Sequence, residues 1–222
     1  MVARALPEVW TIASPQQVQA ARQAGATAAL HRLLDDHAVE SVAAAAELAG
    51  RCVQALPLPG RPMAAAQAGL PSPSQPLSAL WHNCTVLHEH RGDGHLAAVA
   101  VYGLVWPEPH LLPGRQVDAH QQQYRGWDDS SWQQAADRVR GRDTAELDSV
   151  TDRLAAPAYD VLPRPDQLEL ARLLVEPLAR AASAELPYPN ACPRYNEEAG
   201  QQYDRSRWSC GTRTAIAASL AR

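Results

Sequence analysis

The stretch Trp81-His82-Asn83-Cys84-Thr85-Val86-Leu87-His88-Glu89-His90-Arg91-Gly92-Asp93-Gly94-His95 decides how this chain folds. Its second half crowds His88, Glu89, His90, Arg91, Asp93 and His95 into one short run, and an apolar stretch, Leu96 to Val105, follows. The chain has 18 prolines, yet none falls between Pro76 and Pro107. Proline is the residue a helix interior tolerates least, at about 3 kcal/mol, so this gap predicts a long central helix. Gly92 and Gly94 predict a break within it, since each interior glycine costs about 1 kcal/mol relative to alanine. The run after them is apolar on every side, which predicts burial all round. The charged residues joined to it are then partly buried too, and buried charges need partners or a chemical task.

Working outward, Ser14-Pro15-Gln16-Gln17 combines an N-cap, a proline at the first helical position and a capping-box glutamine. It predicts a helix to about Leu34, and a second is expected from Val39 to Ala55. Pro57 to Pro76 reads as a Pro/Gly/Ser-rich connector, and Pro107 to Gly114 as a second break. Asp128 or Asp129 caps a helix from Ser130 to Arg140, Thr144 starts another to Ala156, and Asp166 starts the last, to Glu185, with a kink or stop near Pro177. Strand-period alternation is hardly visible, so the expected class is all-α, mainly helical. One helical domain over residues 1–186 and an Arg/Tyr/Pro-rich tail over 187–222 are expected.

Composition narrows the chemistry. All 20 basic residues are arginine, so no lysine nucleophile or Schiff base is available and every fixed cation is a guanidinium suited to oxyanions. The net charge of −4 argues against nucleic acid as the main partner. Cys52, Cys84, Cys192 and Cys210 lack C-x-x-C spacing, which disfavours zinc or redox use. No signal pattern or bilayer-length apolar run is visible, and a cytoplasmic protein with free thiols is expected.

The motifs admit two readings each. His88 and His95 share a helix face with Arg91 between them, and a cation there opposes a metal, so no metal is expected. Glu89 and Asp93, one turn apart, form either a general base with a raised pKa or a structural network neutralising Arg91 and the histidines. Arg91 either holds a sulfate or phosphate or makes an internal salt bridge to Glu89 or Asp93. The helix opened by Arg125 to Trp132 and ending in Arg138, Arg140 and Arg142 is either a recognition helix or an amphipathic helix with Trp132 inward. Tyr188, Tyr195, Tyr203 and Trp208, interleaved with Arg194, Arg205 and Arg207, either dock a partner or adhere to the domain.

Several of these residues resemble a known family. Pro7-Glu8-Val9-Trp10, Ser14-Pro15, Leu33-Leu34, Leu80-Trp81-His82, the Glu89-to-His95 string, Arg125-Gly126-Trp127, Trp132 and Arg138 are similar to the SalK-like proteins of actinobacteria, described as MarR-like helix-turn-helix proteins. The resemblance covers about Pro7 to Arg180, and the Glu-His-Arg-Gly-Asp-Gly-His string is its most specific part. It implies a winged-helix-like region, but Arg140-Gly141-Arg142-Asp143-Thr144 passes directly into the next helix, so the wing is expected to be missing. The family also carries more helices before the Pro-Glu-Val-Trp region. Their absence here resembles the larger subunit of the two-subunit aziridine-forming enzymes of azinomycin- and vazabitide-type pathways.

That second resemblance implies ring closure by attack of an amine on a carbon bearing a sulfate ester. It implies a small helical partner subunit, a substrate carried on an acidic amino-group carrier protein, and no nucleic acid, membrane or cofactor. Glu89, Asp93 or His95 would take the proton, and Arg91, His90, His82 and Trp81 would hold the sulfate and substrate. The rival expectations are a helix-turn-helix regulator or ligand-binding protein, and a structural subunit whose partner does the chemistry.

Overall fold

A computed structural model describes residues 10–34, 39–112, 122, 126–143 and 145–183; within it, side chains are not described at 33, 39 and 175–183. The described residues are helical and contain no strand. They form α1 (Pro15–Leu33), α2 (Val39–Gln54), α3 (Pro62–Ala68), α4 (Pro76–Val101), α5 (Glu108–Leu111), α6 (Asp129–Val139), α7 (Ala145–Ala155), a 3-10 turn (Ala156–Tyr159) and α8 (Arg164–Ser183).

Local signals explain most boundaries. Ser14 accepts the Gln17 N–H at 3.2 Å while the Gln17 side chain accepts the Ser14 N–H at 2.8 Å, completing the capping box. Asp128 caps α6 through the Ser131 N–H at 2.8 Å. Asp143 accepts the Ala145 N–H at 2.8 Å at the start of α7. Gly103, with φ +63°, closes α4 in the left-handed conformation that glycine tolerates best. Three expectations need correction. The connector from Pro57 to Pro76 contains a helix, α3. The last helix begins at Arg164 and runs through Pro177 without a stop. The central helix is unbroken at Gly92 and Gly94.

α4 organises the molecule. Its 26 residues make a rod of about 39 Å at 1.5 Å per residue. α1, α2, α3 and α7 all pack on it. Its first half joins a core built with α2, the 3-10 turn and α8, in which Ala45, Ala49, Leu80, Leu87, Leu162 and Leu170 are buried. Its second half joins another core with α5, α6 and α7, holding Ala98, Val99, Leu112, Ala135, Val139 and Leu147. The charged string lies where these two cores meet.

Its glycines explain why the helix does not break. A Cβ on Gly94 would collide with the Arg61 guanidinium and lie 3.2 Å from Leu154 Cβ; one on Gly92 would lie 3.3 Å from Met63 Cε. Close approach of α3 and α7 outweighs the propensity cost of about 1 kcal/mol per glycine. The apolar run that follows is buried on one face only. Ala98, Val99 and Leu104 are inside, but Val101 is 82% exposed, Val105 58% and Leu96 41%. Full burial was expected there. The described neighbours instead reach only one stripe of this part of α4.

Candidate functional site

The residues from Trp81 to His95 spread around α4 and face different neighbours. Arg22 of α1 lies over the Trp81 ring, 5.8 Å from its centroid. His82 is buried, and burial pushes its pKa below the ordinary histidine value. His88 is exposed, and Glu89 is half-buried with no ion-pair partner among the described residues.

One side of the string meets α3. Asp93 is buried, and its two oxygens accept the backbone N–H groups of Met63 (3.3 Å) and Ala64 (3.0 Å). Its negative charge also complements the positive end of that helix. Arg61, just before α3, donates to the carbonyls of His90 (2.8 Å) and Leu154 (2.9 Å). This arginine ties α3, α4 and α7 together by crossing α4 at Gly94. Burial pulls its pKa down, opposed by Asp93, but a guanidinium stays charged. His90 is sealed beneath, and neither ring nitrogen completes a hydrogen bond. Burial first, then Arg61, holds its pKa down, while the Pro57 carbonyl and Asp93 oppose them.

The other side meets α7. Arg91 forms an ion pair with Asp152 at 3.2 Å, where Glu89 or Asp93 had been the expected partner. Its Nε is buried without a partner. His95 Nδ1 lies 3.1 Å from Thr151 Oγ1, which donates its own proton to the Leu147 carbonyl at 2.8 Å. A hydroxyl has one proton to give, so when Thr151 gives it to Leu147 the His95 Nδ1 is the donor in that contact, and when Thr151 gives it to His95 the Nδ1 accepts.

The string therefore does not converge on one space. Asp93, His90 and Arg61 form one group, and Arg91, His95, Thr151 and Asp152 another. A shallow, open depression of about 360 Å³ lies elsewhere, between α2 and the start of α4, bordered by Glu47, Arg51, Ser72 and Asn83. There Asn83 donates to the Ala46 carbonyl at 3.0 Å, and Arg51 pairs with Asp166 at 2.7 Å. Among the described residues no cluster of three or more His, Cys, Asp or Glu side chains is placed to hold a metal ion, and no helix is long and apolar enough to cross a membrane. Arg61 and Asp152 were missed by sequence reasoning, since neither lies in a motif.

A second unit stands at the far end of α4. α6 and α7 are joined by Arg140 to Thr144, with Gly141 at φ +77° and no strand between them among the described residues, so the wing is absent as expected. Short turns containing glycine are the connection such helix pairs use. A helix-turn-helix family profile matches residues 1–189. The chain belongs to this helix-turn-helix family. No curated protein and no solved structure matches it.

Arg138, Arg140 and Arg142, at the end of α6 and just after it, each meet an acceptor within the chain, while Arg153 of α7 is exposed. Arg138 donates to the buried Glu108 carboxylate, Arg140 pairs with Asp137 and Arg142 donates to the Tyr102 carbonyl at 2.8 Å. Trp132 packs against the second core. The α6 surface therefore fits the amphipathic alternative, with Trp132 packed inward. The aromatic and arginine residues from Tyr188 to Trp208, Cys192 and Cys210, and the boundary expected at 186 lie outside the described residues.

Proposed function

We propose that the chain is a SalK-like helix-turn-helix protein that acts by binding a ligand or partner, and that its α6–α7 unit does not read DNA. One observation carries this reading: Arg138, Arg140 and Arg142 are each engaged by an acceptor within the chain. Affinity for duplex DNA comes largely from Lys and Arg that neutralise phosphates and release the condensed counterions, and an arginine already engaged within the chain must give up that contact to do so. The missing wing and the net charge of −4 support the same reading. A gel-shift titration with DNA flanking its own gene is expected to give no sequence-specific, salt-sensitive complex. Such a complex, weakened by Arg140→Ala, would restore the DNA-binding regulator.

A second reading has one observation in its favour. Among the described residues Glu89 is half-buried and makes no hydrogen bond or ion pair, whereas Asp93 is held by the Met63 and Ala64 N–H groups, and a carboxylate so placed suits a general base. In that reading the chain is a subunit of an aziridine-forming enzyme. A small helical partner covers the exposed face of α4 at Ala97, Ala100 and Val101, and an acidic amino-group carrier protein presents the substrate. Co-expression with such a partner should then give a complex whose ring-closing turnover drops in Glu89→Gln without loss of assembly. Full turnover in an assembled, stable Glu89→Gln complex removes Glu89 from the chemistry.

A further inference from the structure

His90 stands apart from every other titratable group described above. It is fully excluded from solvent, and the Pro57 carbonyl stands near its ring without meeting hydrogen-bond geometry at either nitrogen. The lid over it is the segment from Pro57 through α3. That lid is held by two polar ties: Arg61 to the His90 and Leu154 carbonyls, and Asp93 to the Met63 and Ala64 N–H groups. We propose that His90 is an acid latch, whose protonation in mildly acidic solution drives the Arg61 segment and α3 off the central helix.

The charges around the ring make the closed state intolerant of a second cation. From the lid side the charge acting on it is the Arg61 guanidinium, and from its own helix it is Asp93. Asp93 accepts hydrogen bonds from the lid backbone, so moving to neutralise the ring would uncap α3. α7 supplies the Leu154 carbonyl to Arg61 and Asp152 to Arg91, so its carboxylate is engaged away from the ring. The Pro57 carbonyl favours the charged ring but counts for less than burial and Arg61 together. A buried imidazolium beside a guanidinium is relieved most directly by local opening, which exposes the ring to water and separates the two cations. The latch follows the general logic of histidine switches, a small change of charge biasing an element with two positions. It is independent of which ligand or partner the protein binds.

The sign follows from linkage. A histidine whose pKa is held down in the closed state stabilises that state above the ordinary value of about 6.5, and the contribution is lost as pH falls below it. Hydrogen exchange followed by mass spectrometry on the full chain at pH 7.5 and 5.5, corrected for intrinsic rates, tests the latch. Peptides covering residues 57–68 should lose about tenfold in protection between these pH values, while those covering α2 should not. In His90→Gln, which cannot titrate, the pH dependence should vanish. If that variant does not fold, the Cε1–H resonance of His90 in the native chain decides instead. Titration of that resonance near pH 6.5 with the lid still protected would overturn the latch. So would unchanged protection of the wild-type lid at pH 5.5, or an equal loss in His90→Gln.

Discussion

The Asp93 carboxylate accepts the backbone N–H of Ala64 at 3.0 Å, so a residue in the middle of one helix caps another that lies 29 positions earlier in the chain. Asp93→Ala should leave the Met63 and Ala64 N–H groups without acceptors in a part-buried place. An unsatisfied buried donor costs about 1–3 kcal/mol, and losing an N-cap about 0.5–2 kcal/mol. These describe the same lost contacts and do not add. Urea denaturation should show a loss of about 1–3 kcal/mol. An unchanged midpoint would mean that α3 does not depend on Asp93.

Gly94 and Gly25 should respond in opposite ways to the same substitution. Gly25 lies in α1 with nothing within 4 Å of an added Cβ, so Gly25→Ala should stabilise the chain by about 0.5–1 kcal/mol through helix propensity alone. Gly94→Ala gains the same propensity but drives a Cβ into the Arg61 guanidinium and against Leu154. Arg61 would have to leave the carbonyls of His90 and Leu154. A net loss of stability is expected. Thermal melts of the two variants settle the comparison, and a stabilised Gly94→Ala would show that Arg61 is not a brace.

These two sites show how far the sequence could be read. Helix ends that carry their own cap, such as Ser14 with Gln17 or Asp128, were legible, because a local hydrogen bond fixes them. The central helix was legible from the proline gap. α3 was not, because its cap is Asp93 and its one local signal, Pro62 at the first helical position, sits in a stretch crowded with other prolines. Arg61 is one arginine among many until α4 and α7 are folded against it. Arg91 pairs with Asp152, 61 positions away, while Glu89 and Asp93 were the visible candidates. Spacing along a helix shows which side chains share a face. It does not show what stands opposite that face.

Cys52 should be a slow thiol. It is fully buried in the first core, and burial pushes its pKa up to about 11, with Arg51 only partly opposing. The thiolate is the reactive form, so little of it exists at neutral pH. Under native conditions at pH 8, iodoacetamide should leave Cys52 unmodified over times that alkylate an unfolded control completely. Mass spectrometry of the peptide containing Cys52 reads this directly. Rapid native alkylation there would mean that α2 opens readily from the core.

The pair between Arg138 and Glu108 connects the α6 surface to stability, and it can be separated from any role in DNA binding. Glu108 is 4% exposed. Burial alone would raise its pKa, yet the Arg138 hydrogen bond, the Val105 N–H at 2.9 Å and the charges of Arg138 and Arg142 bring it below the usual carboxylate value. A carboxyl with a lowered pKa stabilises the fold above its unfolded value of about 4.3, and this is lost as pH falls through the lower folded value. Arg138→Ala removes the strongest counterweight to burial and should cost about 1–3 kcal/mol at pH 7 as a buried acceptor loses its charged donor. Half of the Arg138 side chain is exposed, so the lower part of that range is expected. In the variant burial dominates and Glu108 takes up its proton at a higher pH. The difference between wild type and variant should therefore be full at pH 7 and shrink toward pH 4. Urea melts of both proteins across that range measure it. A difference that stays constant with pH would assign the loss to packing of the Arg138 stem and not to its charge.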